Sequence, residues 1–532
     1  GSGTLGITSN GALTQTGALT QAGGAGAATI NAGAGLITLT NAGNDFTGAV
    51  NLSNTGANAV QVTDTNAIQL GTVSTANNLT VNAVGITQTA GGLTVGGTST
   101  FNAGAGVITL GTATNDFTGA VNLSNSGGNN VAINDTNALV LGTVGVGTGT
   151  LGITSNGNLT QTGALTQAGG AGAVTVNASG GAITLTNAGN DFTGDVSLNN
   201  TSGANVAVTD TNAISLGAST LGTGSFTVNA VGITQTGAVT QGAAAGAATF
   251  NGGAGVITMT QAGNSFTGAV SLNNTGANAV AVTNSGALQL GTSSVGTSTL
   301  TVNAVGITQT GTVTQTAGAG AVTLNGGAGV ITLTNANDFT GSVSANNTGA
   351  NAISLTDANA IDLGTITTAN NLNVTANTSN ITDSGALTIG GNSLFTASAA
   401  GANITVANAA NNFTGTVAFA GAGGLANVNV LDTTALDLQA LTLTGNLTAT
   451  GAGITNSGTL VIGGTSNITA GANAITLNSP SNNFIGAVSL SNSGGNNVAI
   501  TDTNALILGT VAVGSGTLGI TSNGALTQTG AL

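Results

Sequence analysis

Asn44 to Gly71 read NDFTGAVNLSNTGANAVQVTDTNAIQLG. Apolar residues occupy alternate positions in three short runs: Val50 and Leu52, Val60 and Val62, Ile68 and Leu70. A period of two belongs to strands. Asn, Asp, Gly and Thr separate the runs and supply the positive φ and side-chain turns that end a strand. No 3.6-residue helical period competes with this pattern.

The same stretch recurs along the chain. Its phenylalanine reappears as Phe46, Phe117, Phe192, Phe266, Phe339, Phe413 and Phe484, at spacings of 71, 75, 74, 73, 74 and 71. The TDTNA landmark follows it at Asp64, Asp135, Asp210, Asn284, Asp357, Asp432 and Asp502. Gly1 to Leu19 recurs letter for letter at Gly514 to Leu532, and with two changes at Gly147 to Leu165. These offsets, 513 and 146, are near seven and two multiples of one unit. The expectation is one continuous domain over residues 1–532, about seven super-repeats, cut from a longer array.

The intervals Asp45 to Asp64, Asp116 to Asp135, Asp191 to Asp210 and Asp338 to Asp357 all equal 19. Short strands, tight corners and a coil-length period predict an all-β, single-chain parallel β-helix (β-solenoid). Its expected period is about 19 residues per coil, with about four coils in each 71–75-residue super-repeat. At that period the chain would hold about 28 coils, stacked at about 4.8 Å. The seven phenylalanines would lie too far apart to touch one another. Pro480, in NSPSNNF, is expected at a corner, where a residue without a backbone donor is tolerated.

Composition excludes most chemistry. The chain has 532 residues and no Lys, Arg, His, Cys, Trp or Tyr, and its 14 acidic residues are all Asp. With a net charge of −14 and no basic side chain, nothing neutralises phosphates, so neither nucleic acid nor an anionic membrane surface is an expected partner. No run reaches the roughly 18 to 20 apolar residues of a membrane span, so the chain is not expected to cross one. Disulfides are not available. With 40% hydrophobic residues, the chain has enough Val, Ile, Leu and Ala for a continuous core despite 90 glycines.

The repeated Asp residues are the one candidate site. Asp45 and Asp64, with Asn44, Asn66 and backbone carbonyls, have the oxygen chemistry of a calcium site. The pattern degrades to Ser265 with Asn284 and to Asn412 with Asp432, which suits side chains that cap turns by accepting backbone hydrogen bonds. A glycosidase pair of carboxylates would not recur in seven near-copies. The glycine runs precede no Lys, as a phosphate loop requires, and no base is present to activate Ser or Thr. No catalytic, cofactor-binding or metal residue, no cofactor and no small-molecule substrate is therefore expected, and the chain reads as a non-enzyme.

Pairs such as Thr38 and Thr40, Thr184 and Thr186, Thr258 and Thr260, and Thr332 and Thr334 have the texture of ice-binding arrays. They recur only once per super-repeat. Sequons such as Asn51-Leu52-Ser53 and Asn78-Leu79-Thr80 are abundant in any chain this rich in Asn, Ser and Thr.

GITQTGAVTQ, FNAGAGVITL and NDFTGAVNLSNTGANAV resemble, across the whole chain, the repeats of giant bacterial surface proteins of the filamentous haemagglutinin type. The resemblance implies a β-helical fibre, exported across the outer membrane by a two-partner or autotransporter system, that works in adhesion, aggregation or matrix building. No functional residue carries over from it. The expected role is a structural extracellular fibre or stalk at a bacterial cell surface, with self-association into fibres or bundles and cell-surface or matrix components as partners. The alternative is a glycan-binding or ice-binding adhesin surface.

Overall fold

The alternating runs of Asn44 to Gly71 form the strands Val50–Asn54, Val60–Thr63 and Ile68–Thr75 in the computed structural model, which describes residues 1–532. All 63 strands are two to eight residues long, every pairing with a register is parallel, and there is no helix. The chain divides into two compact units, Gly1–Gly268 and Ala269–Leu532. Each is a parallel β-solenoid.

In the first unit, strands stack in three rows. The first row runs Leu5 on Ala28 on Val50, then Leu52 on Val73 on Leu93, then Val95 on Phe117. The second runs Leu13, Ile37, Val60, Leu79, Ser99 and Val121. The third runs Ile68, Ile86, Ile108, Val131, Leu151, Val174 and Val196. The chain visits the rows in strict rotation, so three strand segments make one turn. Ile68–Thr75 rounds a corner: its first half pairs with Ile86–Gln88 and its second half with Leu93–Val95. Gly71 sits at that bend, where a Cβ would lie 2.1 Å from Asn51 Oδ1.

The turns number about 25 and lie about 21 residues apart, which corrects the 19-residue expectation. Individual turns vary around that spacing, from the short step between Ile68 and Ile86 to the long one between Thr20 and Asp45. Nineteen is the length of one short turn, such as Val60 to Leu79. Longer turns carry extra corner residues in small outward loops, closed by bonds such as Ala25 N–H to Ala22 O at 3.1 Å, and so gain length without disturbing the stack.

The super-repeat likewise departs from the expected four coils. Val50, Val121 and Val196 are equivalent positions four residues after their phenylalanines, yet they lie in the first, second and third rows. Ten strand segments separate each from the next, which is three turns and a third. The second unit repeats this: Val343 stacks on Val322, Val417 on Ser393 and Val488 on Ser466, in three different rows. Every motif therefore appears on all three faces in succession.

Inward positions build an aliphatic core in which Ile30, Ile37, Val50, Val60, Ile68 and Leu70 are fully buried. The seven motif phenylalanines are buried too. Three of them meet phenylalanines from outside the motif edge to face: Phe117 with Phe101 at 6.0 Å, Phe266 with Phe250 at 5.6 Å and Phe413 with Phe395 at 6.1 Å. Such pairs add about 0.5–1.5 kcal/mol beyond burial. The glycine two residues after the motif Phe is a steric requirement. A Cβ on Gly48 or Gly194 would lie 2.1 Å from the carbonyl oxygen of Gly26 or Gly172 one turn away. Pro480 lies in an exposed corner turn, as expected.

Candidate functional site: the asparagine and aspartate box

Two buried polar groups recur with the motif. The first is the asparagine before the motif Asp. Asn44 is fully buried, and its side chain ties together three segments. Its Oδ1 accepts from Gln15 Nε2 (2.7 Å) and the Leu19 N–H (2.8 Å). Its Nδ2 donates to Gln15 Oε1 (2.9 Å) and to the carbonyls of Leu39 and Thr63 (both 3.1 Å). All of the amide's polar capacity is used, which is the condition for burying it without penalty.

The same reciprocal amide pair joins Asn115 to Gln88, Asn190 to Gln161, Asn264 to Gln235 and Asn337 to Gln309. Further on, Asp383 takes the glutamine's place and accepts from Asn411 Nδ2 at 2.7 Å, and Asn456 donates to Asn482 Oδ1 at 2.9 Å. The clamp was not foreseen. Its signal was in the sequence: Gln15, Gln88, Gln161, Gln235 and Gln309, each in an ITQT or LTQT run, recur at intervals of 73, 73, 74 and 74.

The second group is the TDTNA aspartate. Asp64 Oδ1 accepts the Asn66 N–H (2.9 Å) and so caps its own turn, while Oδ2 accepts the Phe46 N–H (3.0 Å) from the neighbouring turn. Asp210 and Asp357 repeat both bonds, to Asn212 and Phe192 and to Asn359 and Phe339. In Asp432 one oxygen, Oδ1, accepts from both Phe413 and Thr434. The two groups are joined, because the Thr65 N–H donates to the Asn44 carbonyl at 2.8 Å. The box thus bonds turns where the ladder is thin: Asp116–Phe117 has a strand partner only in Leu93–Val95.

Burial pushes the carboxyls of Asp64, Asp135, Asp210, Asp357, Asp432 and Asp502 above the ordinary value. The backbone N–H bonds oppose this without cancelling it. Asp135 is raised to about 6. Asp45, Asp116 and Asp191 add a smaller upward push on Asp64, Asp135 and Asp210. Chemically the box is a set of turn caps and clamps. The Asp64 oxygens face N–H donors, and no three acidic side chains converge as metal ligands would.

The Thr-x-Thr pairs do not line one face. Outward of the second row, Thr38 is followed by Gln61, Thr80, Thr100 and Asn122, while Thr184 stacks on Ala207 and Thr332 on Ser354. A surface depression of about 430 Å³ beside Asn467, Ser489 and Thr510 is lined by small polar and apolar groups without a titratable side chain. No helix is long and apolar enough to cross a membrane.

A family described as repeats of unknown function (DUF5649) matches residues 1–53, 57–124, 128–199, 203–273, 277–346, 350–420, 425–491 and 495–532. No curated protein and no solved structure matches the chain.

Proposed function

The chain belongs to this family of repeats, and on that premise we propose that it is a structural spacer: the extracellular fibre or stalk of a bacterial surface protein of the filamentous haemagglutinin type. The observation that carries this reading is the rotation of the motif. A solenoid built to bind along one face keeps its binding residues in one row, whereas three and a third turns per super-repeat deal every residue type to three rows in turn. A spacer needs only uniform length and durability, and uniform repeats joined by buried clamps provide both. The interrupted threonine rows weigh against an ice-binding plane, and the lack of Trp and Tyr weighs against sugar stacking. Durability is also served by the absence of Lys and Arg, which leaves trypsin no cleavage site.

Immunogold labelling of the producing cells, with antibody raised against this chain, tests the proposal. Gold along filaments outside the cell is the expected result. Gold confined to the cytoplasm overturns it.

A further inference from the structure

The carboxylates of the box sit in a place that favours their uncharged form. Asp64, Asp135, Asp210, Asp357, Asp432 and Asp502 are all at most 3% exposed. In Asp135, Asp432 and Asp502, Oδ2 is buried without a hydrogen-bond partner. The charged groups facing them are themselves acidic: Asp45 beside Asp64, Asp116 beside Asp135, Asp191 beside Asp210 and Asp338 beside Asp357. No Lys, Arg or His exists anywhere in the chain to compensate. One copy already has a neutral side chain, Asn284, whose Nδ2 donates to the Ala287 carbonyl at 2.8 Å.

We propose that the aspartate box is an acid-closed latch: proton uptake by the buried carboxyls tightens the solenoid turn against turn, and neutral pH loosens it. A folded state that holds its protons to higher pH than the unfolded chain gains stability as pH falls and loses it as pH rises through the carboxyl range. The usual acid unfolding, driven by repulsion among newly unbalanced cations, has no side chains to act through here. The fibre would therefore hold best in acid, the reverse of most proteins.

Thermal unfolding of the whole chain at pH 4.5 and pH 7.5, each in low salt and in 1 M NaCl, tests this. The high-salt arm removes repulsion among exposed carboxylates, which salt screens, and leaves the burial effect. The expected result is a midpoint higher by about 5 °C at pH 4.5 in both salts. A midpoint that is unchanged or lower at pH 4.5 in 1 M NaCl overturns the latch, including the case where a rise appears only in low salt. Copying Asn284 into the other six positions (Asp64→Asn, Asp135→Asn, Asp210→Asn, Asp357→Asn, Asp432→Asn, Asp502→Asn), together with Asp383→Gln at the clamp carboxyl that burial also raises, should abolish the high-salt pH dependence, and its persistence also overturns the proposal. Should that chain not fold, Asp135→Asn alone serves, read by the pH dependence of hydrogen exchange at Asn137 and Phe117. The wild-type chain should protect these amides more at low pH after correction for intrinsic exchange, and the variant should not.

Discussion

Replacing Asn190 by Leu tests whether the buried amide clamp holds the turns together. Asn190 is fully buried and makes five hydrogen bonds: two with Gln161 (2.8 and 3.0 Å), one from the Leu165 N–H (2.9 Å), and one each to the carbonyls of Leu185 (3.1 Å) and Thr209 (3.2 Å). Leucine is close in size, so the change removes the bonds and leaves little cavity. The Leu165 donor is then stranded where water does not reach, at a cost of about 1–3 kcal/mol, and Gln161 loses both partners on Asn190. Summed with the weakened carbonyls and offset by the apolar gain of leucine, the loss is about 3–5 kcal/mol. Repeat proteins open locally, so the suitable assay is native-state hydrogen exchange at Leu165 and its neighbours rather than a single global midpoint. The exposed Asn212→Ala, which removes only a 3.3 Å bond to Asp191, serves as the control and should cost under about 0.5 kcal/mol. A loss below about 1 kcal/mol in Asn190→Leu would falsify the claim that the clamp joins the turns.

Other substitutions probe the packing. In a native-state hydrogen-exchange comparison, Gly194→Ala should destabilise its turn by more than about 2 kcal/mol, because its Cβ meets the Gly172 carbonyl oxygen at 2.1 Å, while Gly23→Ala, with nothing within 4 Å, should be nearly neutral. Phe117→Ala should cost about 3–5 kcal/mol, and a double-mutant cycle with Phe101→Ala should return a coupling of about 1 kcal/mol; additive effects would contradict the edge-to-face contact. Folded chain incubated with elastase or proteinase K should remain largely intact for hours, since most of its strands are laddered on both sides; rapid fragmentation would count against durability as a property of the fold.

Most of the architecture could be read from the sequence, because alternation and repeat length are direct physical consequences of a half-buried strand and a stacked coil. Val50, Leu52, Val60, Val62, Ile68 and Leu70 all point inward as their spacing requires. The turn length was misread for an identifiable reason. The Asp45 to Asp64 interval is conspicuous, since both landmarks are rare charged residues, yet it falls short of a whole turn: the equivalent Asp357 stacks on Asn337 and not on Asp338, and the glycine-rich corners that lengthen other turns carry no landmark. The third of a turn was hidden by the same error, because four coils of that short length nearly fill one super-repeat. The capping role of Asp64 followed from the replacement of its equivalent by Asn284, which keeps a turn-capping oxygen and gives up the charge. The Asn44 clamp did not, because its partner Gln15 lies 29 residues upstream and the pairing depends on which turn is stacked on which.

One super-repeat makes three turns and a third. A high-resolution electron cryomicroscopy or crystal structure of the chain tests it directly by locating Val50, Val121 and Val196. These three equivalent residues should lie in three different strand rows, with successive turns about 4.8 Å apart. Finding all three in one row, as a whole number of coils per super-repeat demands, would contradict it.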